Sequence, residues 1–146
     1  MALSDTKIDF ALEVQDGFPP IHVERLNARM ASPGQYEILN SPLFVKETAY
    51  GDIVAADATP EGRLVFKECL TPSTFKAISI ILLDPVLDTA LMDLFRHQET
   101  VIEYGEFGTL RMVGVGIPST VDYDRIKAEL DKYERLGKLS YAELVV

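Results

Sequence analysis

The chain has 146 residues, enough for one domain or two very small ones, and its 47% hydrophobic content is enough for a real core. A formal net charge of -9 argues against non-specific nucleic-acid binding, which needs cations to displace phosphate counterions; it suits a dissolved protein, or one that meets a basic partner. The single cysteine, Cys69, excludes an intrachain disulfide and fits a reducing cytoplasm.

Along the chain, the first half reads as β structure. The segment MALSDTKIDF has neither the basic n-region nor the apolar h-region of a secretion signal. Ile8, Phe10, Leu12 and Val14 then alternate with polar or small residues, the mark of a half-buried strand. Gln15-Asp16-Gly17 and Pro19-Pro20 break it. A second strand covers roughly Ile21 to Met30, with His22, Glu24, Leu26 and Ala28 on one face. Ser32-Pro33-Gly34 turns into a short strand from Tyr36 to Leu39. Tyr50-Gly51-Asp52 turns into Ile53 to Ala56, and Thr59 to Gly62 turns into Leu64 to Phe66. Five short strands with turns between them predict a small antiparallel barrel or curled sheet.

The second half alternates strand and helix. Phe75 to Leu83 reads as a buried strand; its apolar run from Ala77 is interrupted by Ser79 and is far short of the ~20 residues of a membrane helix. Asp84-Pro85 opens a helix in which Leu87, Leu91, Leu94 and Phe95 recur at helical spacing, ending near His97 or Gln98. Val101–Tyr104 and Thr109–Ile117 read as a hairpin turning through Gly105 to Gly108. Asp122 caps a second helix striped by Tyr123, Ile126, Leu130 and Tyr133, Gly137 stops it, and Leu139 to Val146 closes as a strand. The order β-α-β-β-α-β is that of the ferredoxin-like split unit. The expected fold is therefore α+β, with a β lobe over 1–72 and a ferredoxin-like lobe over 73–146 sharing one core. The helices would cover one sheet face and leave the other to pack on the β lobe.

Candidate chemistry is sparse. His22 and Glu24, two apart on a strand, suit two metal ligands or an acid/base pair, but a metal site needs three or four ligands; a solvated strand face is the plainer reading. His97, with Asp93 and Glu99 nearby, suits either a helix C-terminus or a His–carboxylate couple. Cys69 lacks the electropositive setting of a nucleophile. Gly114-Val115-Gly116 faintly echoes a dinucleotide fingerprint, but both glycines fall within a strand, where they more simply allow close packing. The second helix carries mixed charges, as a solvated face does. Glu103, Tyr104, Glu106 and Phe107 interleave acids with aromatics around the hairpin, a pattern suited to anchoring a basic protein partner.

Two blocks carry a family resemblance: Asp16-Gly17-Phe18-Pro19-Pro20-Ile21 with Glu24-Arg25-Leu26-Asn27-Ala28, and Asn40-Ser41-Pro42-Leu43-Phe44 with Gly51-Asp52-Ile53-Val54. In order and spacing they resemble the bacterial domain-of-unknown-function family numbered 4265. Asn27 departs from the pattern where an aromatic is expected, and Thr71 to Lys76 replaces a Ser-Gly-His-like segment. The resemblance implies no established activity. Most matching residues are turn-formers; Glu24 is the exception.

These features lead to an expectation of a cytoplasmic, non-enzymatic binding protein without cofactor, monomeric or weakly dimeric. It would act as an immunity protein, occluding the active site of a basic toxin domain through Glu103, Tyr104, Glu106 and Phe107. The alternative is a small-ligand-binding regulatory module or an enzyme, with a pocket between the lobes near His22, Glu24 or the Gly114–Gly116 strand.

Overall fold

Period-2 alternation builds the first half. In the computed structural model, which describes residues 5–85, 87–95 and 99–146, β1 (Asp5–Ala11) and β2 (Val23–Ser32) bury Ile8, Phe10, Glu24, Leu26 and Ala28 and turn Arg25 and Asn27 outward. They continue through β3 (Gln35–Ile38), β4 (Ile53–Ala58) and β5 (Leu64–Thr71) into a closed five-stranded barrel. Successive strands pair antiparallel. Closure is parallel and short: β1 meets β5 only at Ile8–Leu64 and Asp9–Val65. Asp9 holds that seam, its carboxylate 2.9 Å from Arg25 and 2.7 Å from Arg63. Phe10 and Phe66 stack just beyond it, ring centroids 4.7 Å apart.

The second half runs β6 (Lys76–Leu82), α1 (Leu87–Phe95), β7 (Val101–Phe107), β8 (Leu110–Ile117), α2 (Tyr123–Arg135) and β9 (Leu139–Val145). Its strands form a four-stranded antiparallel sheet in the order β7-β8-β6-β9. Strand alternation divides the sheet's residues between its faces. Ile78, Ile80, Val113 and Val115 form a core with Leu91 and Phe95 of α1 and Ile126 and Leu130 of α2. Ala77, Ser79, Ile81, Met112, Gly114 and Gly116 occupy the face turned to the barrel. Asp122 caps α2, its carboxylate accepting the amides of Asp124 and Arg125 at 3.1 and 3.4 Å. Gly137, at φ 72°, ends it, with the Lys138 amide donating to the Tyr133 carbonyl.

The described residues are thus mostly sheet with two short helices, an α+β arrangement of two sheets, one of them ring-like. Several boundaries differ from expectation: β1 ends at Ala11 rather than reaching Val14, and β2 runs Val23–Ser32 rather than Ile21–Met30, which leaves His22 outside it. β5 continues to Thr71 because its ladder with β4 persists through Cys69 to Thr71. Gly105 lies inside β7 rather than in the hairpin turn, which falls at Gly108, φ 65°. No helix among the described residues is long and apolar enough to cross a membrane.

Candidate functional site

The site is built where the segment 40–45, between β3 and β4, crosses from the barrel to the sheet. An irregular buried segment must satisfy its backbone groups without a ladder, and Glu24 does this. It points into the barrel end from β2, only 6% exposed, and its carboxylate accepts the amides of Leu43 at 2.7 Å, Phe44 at 3.0 Å and Val45 at 2.9 Å. Asn40 links both halves: its carbonyl oxygen accepts the Asn27 amide, and its amide nitrogen donates to Glu103 on β7, both at 2.6 Å. Asp52, also buried, accepts the amides of Ala49 at 3.0 Å and Ser73 at 2.8 Å, tying the β4 entry to the β5–β6 link.

The sheet receives this segment at glycines. A Cβ on Gly105 would stand 2.5 Å from Leu43 Cδ1, and one on Gly114 would stand 2.9 Å from the Pro42 carbonyl oxygen. The missing side chains therefore let the segment lie on the β7–β8 half. The glycine pair Gly114 and Gly116 has a packing role, and both residues lie within β8. Phe44 continues the junction as the centre of an aromatic chain, edge-on to Phe18 at 5.7 Å and to Phe107 at 5.3 Å.

Over the β6–β9 half the two sheets stand apart, leaving a cleft of 880 Å³. Ser79, Ile81, Met112 and Ala142 line it from the sheet; Phe10, Leu12, Val45 and Phe66 line it from the barrel. Its charged lining residues, Glu13, Lys46 and Glu47, are all exposed. Ser79 is 4% exposed and its hydroxyl has no hydrogen-bond partner. Cys69 lines the same cleft. Burial, reinforced by the Asp52 carboxylate, pushes its thiol above the usual range, the opposite of what activates a nucleophile.

The residues singled out from sequence are scattered by this geometry. Glu24 is buried and bound to three backbone amides, whereas His22 lies before β2, exposed, so the two share neither strand nor surroundings. Glu103 and Phe107 face the barrel and are engaged by Asn40 and Phe44. Tyr104 and Glu106 fall on the opposite face, paired with Val113 and Arg111, and the Tyr104 hydroxyl lies against the Met92 sulfur. The four therefore do not form one surface. His97 lies outside the described residues, so the His97–Asp93 couple does too. On α2, Lys127 meets Glu143 at 3.3 Å and Tyr141 at 3.0 Å, and Asp131 accepts from the Tyr141 hydroxyl. Ser79 was visible in the sequence only as the polar break in an apolar run.

A model of the family described as "Domain of unknown function (DUF4265)" matches residues 24–141. The chain belongs to this family. The DUF4265 match opens at Glu24, the carboxylate that holds segment 40–45, and closes at Tyr141 in β9, so it spans the junction and the sheet side of the cleft. A solved structure, described as a novel crystal structure of a hypothetical protein from Neisseria gonorrhoeae, is similar over 99% of this chain and 97% of that one, with 23% identity and a TM-score of 0.78. That likeness is one of fold. No curated protein matches the chain.

Proposed function

We propose that this DUF4265 protein is a non-catalytic binding module whose cleft, between barrel and sheet, takes a small apolar ligand. The observation that carries this is an 880 Å³ cleft with a largely apolar lining and one buried, unpartnered hydroxyl. Ligand sites are of roughly 300–1,000 Å³, mostly apolar, with a few polar groups that fix orientation. Burial shifts the Cys69 thiol upward, away from the thiolate, and no hydrogen bond joins Ser79 to a base that would activate it. The strand order β7-β8-β6-β9 with two intervening helices supports reading the second half as a ferredoxin-like unit. By analogy, such units serve as regulatory ligand-binding modules.

Titration with the neutral fluorophore N-phenyl-1-naphthylamine tests this reading. Saturable one-to-one enhancement, abolished by Ala142→Phe on the cleft's sheet side without loss of thermal stability, is the expected result. Absence of saturation in the unmodified protein would overturn it.

A second reading retains a protein partner. Tyr104 is 62% exposed beside Glu106 on the outer strand β7, and the chain carries nine net negative charges. These features support an immunity protein, resident in the cytoplasm, that covers a basic toxin domain. Glu106→Lys should then slow association with the toxin encoded beside it, and an unchanged rate removes Glu106 from the interface.

A further inference from the structure

We infer that the cleft selects an uncharged amphiphile: an elongated apolar chain ending in a hydroxyl or primary amide, hydrogen-bonded to the Ser79 hydroxyl. This rests on the cleft being a ligand site. It adds the chemistry of the ligand and its orientation.

Ser79 stands at the middle of β6, and its cross-strand partners are Gly114 on β8 and Ala142 on β9. Both neighbours are small, but the space over Gly114 is taken by the Pro42 carbonyl oxygen and Leu43, so of the two only Ala142 lines the cleft beside Ser79. The Ser79 hydroxyl is nine-tenths buried, lines the cleft and makes no hydrogen bond. Buried hydroxyls are normally partnered, and a ligand head that donates to or accepts from Oγ removes the cost of leaving this one unmade.

The charge of the head follows from what surrounds it. The residues nearest Ser79 along the sheet face, Ile81, Met112 and Ala142, carry no charge. Glu13, Lys46 and Glu47 are solvent-exposed. The Tyr141 hydroxyl is occupied by Asp131 and Lys127. A carboxylate or ammonium seated at Ser79 would therefore be buried without a counter-charge, which disfavours it strongly. Apolar and aromatic side chains, including the stacked pair Phe10 and Phe66, make up much of the remaining wall, with Gln15, Thr48 and Ser140 as neutral polar groups. The apolar part of this lining matches a hydrocarbon chain. Ser41, the other buried unpartnered hydroxyl among the described residues, packs against Gly116 and does not line the cleft.

The test is displacement of N-phenyl-1-naphthylamine by 1-decanol, decanamide, decanoate and decylamine at pH 7.5. The alcohol and the amide should displace the probe at concentrations about tenfold below those of the two ions. In Ser79→Ala, affinity for the fluorophore should persist while affinity for 1-decanol falls about fivefold to tenfold, the worth of one hydrogen bond. Equal displacement by decanol and decanoate in the unmodified protein would overturn the inference, and so would an undiminished decanol affinity in Ser79→Ala. In either case probe saturation would still uphold the cleft as a ligand site. Failure of the probe to saturate defeats both. Selectivity among the four compounds is read on the unmodified protein, so the test does not depend on how the variant folds.

Discussion

The Glu24 carboxylate accepts the backbone N–H of Phe44 at 3.0 Å, across 20 residues of sequence and at a buried position. The same side chain holds Leu43 and Val45. One strand residue thereby fixes an irregular segment that is itself the contact between barrel and sheet. Phe44, so placed, lies edge-on to both Phe18 and Phe107, and the adjacent Val45 forms part of the cleft wall.

Removing that carboxylate strands three amide donors. Glu24→Ala should cost about 3 kcal/mol and lower Tm by about 10 °C, because unmade buried hydrogen bonds carry the full desolvation penalty. Glu24→Gln keeps one acceptor oxygen but turns an NH2 group toward N–H donors, so it should recover only part of the loss. Thermal denaturation by circular dichroism checks both. A Glu24→Ala protein as stable as the parent would contradict the anchoring role.

The three β7 and β8 glycines should respond in a definite order. Gly114→Ala places its methyl 2.9 Å from a backbone oxygen, which cannot retreat without moving segment 40–45. The expected cost is about 1–3 kcal/mol, as for other overpacked sites. Gly105→Ala meets the movable tip of Leu43 and the Phe107 ring, and should cost less. Gly116→Ala finds its neighbours at 3.5 Å, ordinary contact, and should be neutral or slightly stabilising through the unfolded chain. Urea denaturation of the three variants gives the ranking.

Stability should fall at alkaline pH through the cluster on α2 and β9. Burial, then the hydrogen bond to Glu143 at 2.5 Å, holds Tyr123 well above its ordinary pKa of 10.0. Burial and the bond to Asp131 raise Tyr141, and the bond to Tyr141 raises Lys127. Above about pH 10 the unfolded chain releases these protons while the folded one keeps them, so the folded state binds more protons and its stability decreases as pH rises. Tm measured from pH 8 to pH 11 should drop, and less steeply in Tyr123→Phe.

Cys69 offers a kinetic reading of cleft occupancy. With its thiol pushed up by burial and by Asp52, alkylation by iodoacetamide at pH 7.5 should run slower than for free cysteine. Because Cys69 lines the cleft, saturating 1-decanol should slow it further. Mass spectrometry of quenched samples measures both rates.

The early barrel strands were legible because apolar and polar residues alternate in them, the later ones because turn-formers bracket short apolar runs, and α2 because Asp122 and Gly137 bracket an apolar stripe. Gly105 was misplaced for a physical reason. A glycine in a sequence marks either a turn or a close approach, and only the arrival of Leu43 over it decides which. Glu24 presented the converse difficulty. In sequence a buried carboxylate cannot be told from an exposed one until the amides it serves, 19 to 21 residues away, are seen. Ser79 announced itself as a break in an apolar strand, but its meaning depends on Gly114 and Ala142 beside it, and strand register is not written in β6 alone. The acidic hairpin residues were grouped by sequence proximity, whereas alternation sends Glu103 and Phe107 to one face and Tyr104 and Glu106 to the other.

The most direct measurement is a two-dimensional 1H–15N NMR titration of the protein with 1-decanol. Saturable shift changes confined to Val45, Ser79, Met112 and Ala142, with their near neighbours, are predicted. An unperturbed spectrum, or changes centred on Tyr104, Glu106 and the helices, would contradict a ligand site between barrel and sheet.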